Sequence, residues 1–171
     1  MTDMADLIKT IQNTPDCAVY PRAGRPEVRE PHVLPADVRE FYRHCGGVSL
    51  FESSAYAIRI VQPENMVQAN PVIFDGVDEA PIEESREDIS WSWYIIAEGD
   101  NRQYITIDLA PERLGRCYDS FWDTHASPGY CAIVAVSFTD LLSRLLANQG
   151  SHWYWLQPRF KRLGDAYFGL K

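Results

Sequence analysis

Apolar residues recur along this chain in two rhythms. Met4, Leu7, Ile8 and Ile11 are spaced three and four apart, which places them on one side of a short helix that Pro15 ends. The same rhythm returns at Leu34, Val38, Phe41, Tyr42 and Cys45, predicting a second helix that begins near Pro35 and leaves through Gly46 and Gly47. A third stripe, Phe138, Leu141, Leu142, Leu145 and Leu146, belongs to a helix that Ser137 can cap, with Asp140 reciprocating, and that runs up to Gly150.

Between these helices the period shortens to two. "VSLF" and "YAIRIV" read as strands, and Ile95, Ala97, Ile105, Ile107 and Leu109 alternate on either side of "EGDNRQ", which predicts a hairpin turning through Gly99, Asp100 and Asn101. Arg116 to Phe121 continues as a strand after a turn at Pro111 to Gly115. "CAIVAV" from Cys131 is apolar throughout and predicts a central strand buried on both faces. Arg22 to His32 reads as an exposed connection, Pro63 to Val67 as a short helix, and Asn70 to Asp88, which has no sustained period, as a long loop. The tail from His152 is rich in Trp, Tyr and Phe; its rings are expected to pack on the sheet.

Composition narrows the function classes. At 171 residues the chain suits one domain, able to remove roughly 70% of its unfolded surface from water. A net charge of −8 argues against wrapping nucleic acid or anionic membrane, because phosphates demand surplus Lys and Arg; it favours a basic protein partner. This acidity also counts against single-stranded bases stacking on the aromatic tail. No apolar run reaches the roughly 18 residues of a membrane span, and "MTDMADLIKTIQNTP" does not read as a secretory signal. A cytoplasmic protein with reduced thiols is expected. Cys17, Cys45, Cys117 and Cys131 form no C-x-x-C pair, so neither metal nor cofactor is expected.

Candidate chemistry is sparse. No phosphate loop, H-E-x-x-H helix or G-x-S-x-G elbow occurs. His44 and Cys45 are adjacent on a helix and point about 100° apart, so they cannot act as a pair. Asp123 with His125 could serve a hydrolase if a carboxylate from the hairpin, Glu98 or Asp100, completed the set; local hydrogen bonding in loops is the simpler account. The strongest candidate for binding is an acidic segment comprising Asp75, Asp78, Glu79, Glu83, Glu84, Glu87 and Asp88, with Arg86 its only base, followed directly by Trp91 and Trp93. Aromatic anchors beside a rim of one sign suit recognition of a basic protein surface, and a merely solvated loop is the alternative.

Four patches, "LPADVREFYRHCGG", "YIIAEGDNRQYITIDL", "GRCYDSF" and "IVAVSFTDLL", stand in an order and spacing that resembles the SUKH superfamily, over roughly residues 34 to 146. That superfamily includes a yeast cell-wall regulator family and many bacterial immunity proteins. The resemblance implies an α+β fold, a single domain with an antiparallel β-sheet and helices packed on it, in agreement with the element order above. It implies a non-enzymatic protein that neutralises a toxin, often a nuclease, by binding it, with an intracellular regulatory or scaffolding role as the alternative. Gly46, Gly47, Gly99, Asp100 and Asp108 match the family's motifs. Cys45 stands where the family usually has Asn, so that helix end is expected to be capped differently. The N-terminal helix, the acidic segment and the aromatic tail lie outside the matching patches. Partner choice is expected to reside there, and the oligomeric state stays open.

Overall fold

Each strand of the main sheet pairs with the next one in sequence. In the computed structural model, which describes residues 2–76 and 86–171, an antiparallel sheet is built from β1 (Ala18–Val19), β2 (Val48–Leu50), β3 (Ile58–Ile60), β4 (Trp93–Gly99), β5 (Tyr104–Asp108), β6 (Cys117–Asp119) and β7 (Ile133–Ala135), in that spatial order. Helices α1 (Met4–Gln12), α2 (Ala36–His44), α3 (Ala69–Ile73) and α4 (Phe138–Asn148) accompany it, and β8 (Gly164–Asp165) with β9 (Gly169–Leu170) forms a separate small hairpin. The fold is α+β, as the pattern and the resemblance both imply.

Helices of nine to eleven residues are marginal alone in water, so these depend on their apolar faces. Met4, Leu7, Ile8 and Ile11 of α1 are all buried, and the Asp3 carboxylate caps it by accepting the Ala5 N–H at 2.8 Å. In α2 the buried set is Val38, Phe41 and Tyr42, and the Tyr42 hydroxyl donates to the Val61 carbonyl at 2.7 Å, tying the helix to the end of β3. On α4, Phe138, Leu141, Leu142 and Leu145 are buried, each contributing roughly 1.5–3 kcal/mol, while Leu146 stays half-exposed. Ser137 caps α4 through the Asp140 N–H at 3.0 Å; Asp140 reciprocates to Val136 N–H, one residue before the cap. The Asp37 carboxylate joins α2 to α4 by accepting both the N–H and the hydroxyl of Thr139.

The exit of α2 shows why two glycines follow it. A β-carbon on Gly46 would overlap the Pro21 carbonyl oxygen, and Gly47 adopts φ +126° with the Ile60 carbonyl only 2.8 Å from where its β-carbon would sit. Cys45 closes the helix differently from an Asn: its thiol is buried and directed at the Phe41 carbonyl, 3.7 Å away. All four cysteines are free thiols.

Two expectations need correction. The apolar run at β7 does not mark a central strand, because β7 lies at the end of the sheet order. Its burial comes from α4 and from the C-terminal arm, where the Tyr154 hydroxyl donates to the Val134 carbonyl at 2.6 Å and Asp165 bridges to Ala132. The stretch from Asn70, read as irregular, begins inside α3, which packs beside β4.

Asp108, the last residue of β5, organises the sheet's middle. Fully buried, it accepts the Ser92 hydroxyl (2.6 Å) and Ala110 N–H (3.0 Å) on Oδ1, and the Tyr118 hydroxyl (2.7 Å) and Arg113 Nε (2.8 Å) on Oδ2. Burial works against the Arg113 charge, but the bond and field of Asp108 more than offset it and hold the guanidinium's pKa above its usual value. Burial first, then the Asp108 carboxylate, push the Tyr118 phenol far up, so it remains a donor. Removing the carboxylate leaves the Tyr118 hydroxyl and the Arg113 Nε without their acceptor, Arg113 keeping only its ion pair with exposed Glu112 at 3.1 Å. Asp108→Ala is expected to lose about 3–5 kcal/mol of unfolding free energy, measured by urea denaturation; a loss below about 1 kcal/mol would show that the network contributes little.

Candidate functional site

The acidic segment is only partly within the described residues: Asp78, Glu79, Glu83 and Glu84 lie outside them. Asp75 and Glu87 are exposed on either side. Asp88 has a structural task. Its Oδ1 caps the 3-10 turn Ile89–Ser92 by accepting the Ser90 N–H at 2.8 Å, and also accepts the Tyr167 hydroxyl at 2.8 Å. The segment's return into the fold is therefore tied to the C-terminal arm.

The two tryptophans part company. Trp91 is half-buried, with the guanidinium carbons of Arg29 and Arg86 5.3 and 5.5 Å from its ring centre. Trp93 is fully buried; its ring lies 4.6 Å from Tyr118 and 5.7 Å from His125. The expectation that Trp93 anchors a partner is thus corrected: it is a core residue, because β4 begins at that position and turns the side chain inward.

His125 is buried as well, and it does not meet Asp123, which is exposed. Its Nε2 bonds to Asn70 Oδ1 at 2.8 Å, and Asn70 Nδ2 donates to the Ser90 hydroxyl at 3.0 Å, linking the 121–130 loop, α3 and the capped turn. Burial pushes the His125 pKa down to about 4, the field of Asp88 opposing only in part. The ring is therefore neutral at pH 7, so Nε2 carries the hydrogen and donates to Asn70. Its Nδ1 and the Trp93 Nε1 have no hydrogen-bond partner among the described residues. The hairpin carboxylates are elsewhere: Glu98 pairs with Arg59 across β3 and β4 at 3.4 Å, and Asp100 sits exposed in the turn. The structure does not bring together the set that a hydrolase would need. Among the described residues no group of three His, Cys, Asp or Glu side chains could hold a metal.

The hairpin turn itself is built on Asn101 and Arg102, both left-handed at φ 58° and 57°. An arginine tolerates this because Arg102 Nη2 donates to the Ile73 carbonyl at 3.0 Å and its guanidinium lies 4.9 Å from the Trp122 ring centre. Asp100 contributes its backbone carbonyl, which accepts the Gln103 N–H. Gly99 is needed for close approach, since a β-carbon there would come within 3.2 Å of the Trp153 ring.

Trp153 and Trp155 pack on the sheet as expected, stacked 5.2 Å apart. The rest of the arm does not close down. Between it and the β5–β6 region lies a cleft of about 810 Å³, whose margin carries exposed Tyr130, Leu156, Phe168 and Leu170. The sequence holds no local sign of this: Tyr167 and Phe168 are adjacent, yet Tyr167 turns inward while Phe168 stays exposed.

With this geometry in view, comparison with known proteins gives the class. Residues 29–144 match the SMI1/KNR4 family (SUKH-1), and the chain belongs to that family. It is also 46% identical, over 165 residues and 96% of both chains, to the immunity protein YokJ of Bacillus subtilis (strain 168). No solved structure shows a significant match.

The buried neutral imidazole has a consequence for stability. Because the His125 pKa falls from about 6.5 unfolded to about 4 folded, its contribution is present above pH 6.5 and is lost as pH drops towards 4, by about 3 kcal/mol in all. His125→Phe should flatten the pH dependence of unfolding free energy between pH 6.5 and 4; an unchanged slope would show that the histidine is not buried neutral.

Proposed function

We infer that this chain is an immunity protein that binds and neutralises a cognate bacterial toxin acting inside the cell, such as a nuclease, without catalysing a reaction itself. The observation that carries this reading is the 46% identity to an immunity protein over almost the full length of both chains. The likeness extends beyond residues 29–144, so it includes sequence outside the core that the family shares. The chain's acidity supports a basic toxin surface, and no helix among the described residues is long and apolar enough to cross a membrane. Residence in the cytoplasm, as one domain, suits a protein that must meet its toxin there.

This reading assigns the acidic segment and Trp91 to partner contact. Exposed ion pairs contribute only about 0.2–1 kcal/mol each, so the charges guide encounter while aromatic contacts hold the complex. Asp88 is set apart from this role by its two internal bonds.

Production of this chain together with its cognate toxin should restore growth that the toxin alone stops. Replacing Asp75, Asp78, Glu79, Glu83 and Glu84 by their amides should slow association about tenfold at low salt with little change in dissociation, and Trp91→Ala should speed dissociation about tenfold. Continued growth arrest in the presence of folded protein would overturn the immunity reading. Unchanged rates in the variants would remove this segment from the interface.

A further inference from the structure

The cleft under the C-terminal arm has the chemistry of a receptor. Its volume, about 810 Å³, falls in the range of ligand sites, roughly 300–1,000 Å³. Four large apolar side chains around it are half or more exposed, from Leu170 at 50% to Phe168 at 74%, a concentration of uncovered apolar surface that marks contact sites in soluble proteins.

Its floor carries a carboxylate. Asp119 is buried on β6 and lines the cleft. Its Oδ1 accepts the Gln103 side-chain amide (2.8 Å) and the Phe121 N–H (3.2 Å), and its Oδ2 accepts Trp155 Nε1 (3.0 Å). All three donors are neutral. Burial raises the Asp119 pKa and these bonds pull it back only in part; no ion pair among the described residues gives the carboxylate a counter-charge. The cleft is also lined by aromatic residues, among them Trp155, Phe121 and Tyr130, a residue type whose ring faces attract cations.

We propose that this cleft is a docking surface for a cationic side chain of the protein partner, an arginine or lysine whose apolar stem lies against the aromatic walls while its charged end meets Asp119. This rests on the immunity reading, in which the partner is a basic toxin surface. The second carboxylate lining the cleft, Asp165, is committed to the backbone N–H groups of Gly129, Cys131 and Tyr167. Arg162 and Lys171 also line the cleft, both exposed and in no ion pair among the described residues, and they oppose an incoming cation. That opposition makes the sign of the occupant testable. An anionic occupant would be drawn by Arg162 and repelled by Asp119; a cationic one behaves in the opposite way.

The test uses the full chain with 15N-labelled indoles and two probes of equal shape, benzamidinium and benzoate. The Trp155 indole N–H donates to Asp119 and reports directly on the floor of the cleft. Benzamidinium should shift that resonance saturably, and benzoate should not. Arg162→Gln should tighten benzamidinium binding about two- to threefold, and Asp119→Asn should weaken it at least about tenfold. Phe168→Ala, at a side chain too exposed to threaten folding, should weaken it as well, which keeps the proposal falsifiable if Asp119→Asn does not fold. Binding of benzoate in preference, tighter benzoate binding lost in Arg162→Gln, or no shift with either probe would overturn the proposal. The probes need no toxin, so their failure removes the cleft and leaves the immunity reading standing, whereas failure of growth protection removes that reading and leaves the cleft's preference for cations measurable.

Discussion

The rest of the structure depends on one buried ion pair, Asp108 with Arg113. Placing the Asp108 carboxylate in the sheet interior is costly, and its pair with the partly exposed Arg113 holds only when the remaining valences are met. Here they are, because Ser92, Ala110 and Tyr118 supply the other donors. The pair thereby fixes the turn before β4, the end of β5 and the face of β6 at one point. Tyr118, held by Asp108, packs against Trp93, and Trp93 packs against His125. Disturbing the carboxylate would be felt from the sheet's centre out to the 121–130 loop.

Such a centre leaves little freedom for binding, and both proposed contact regions lie at the margins. At one margin Asp75 follows α3 and Asp88 leads into β4, where Tyr167 of the C-terminal arm clamps it. At the other, the arm itself lies open over Asp119. The two margins differ in sign: the first is rich in carboxylates, while the arm carries Arg159, Lys161, Arg162 and Lys171. A partner that reads both must present a basic surface to the segment and a single buried cation to the cleft floor, an arrangement that gives specificity beyond net charge.

Much of the fold was legible because local rules and tertiary packing agree. The stripes of α1, α2 and α4, the Ser137 cap and the hairpin all follow from spacing. What spacing could not convey were pairings distant in sequence. Asn70 and His125 meet across 55 residues and Asp119 and Trp155 across 36, so neither the histidine's neutrality nor the carboxylate's setting could be read locally. Trp91 and Trp93 looked equivalent because they are two residues apart. They differ because a 3-10 turn ends between them, and β4, buried on both faces from Trp93 to Ala97, begins only at Trp93. The apolar run of β7 misled for a related reason: a strand at the sheet's edge is buried just as fully when a helix and a C-terminal arm cover it.

The central claim, charge-guided binding of a toxin by the margins of a rigid sheet, is tested most directly by the binding kinetics of the purified chain with the toxin against which it protects growth, followed from about 50 to about 500 mM salt. The account predicts a stable complex whose association rate falls steeply with salt while dissociation barely changes. Absence of a complex at micromolar concentrations, or association indifferent to salt, would contradict it.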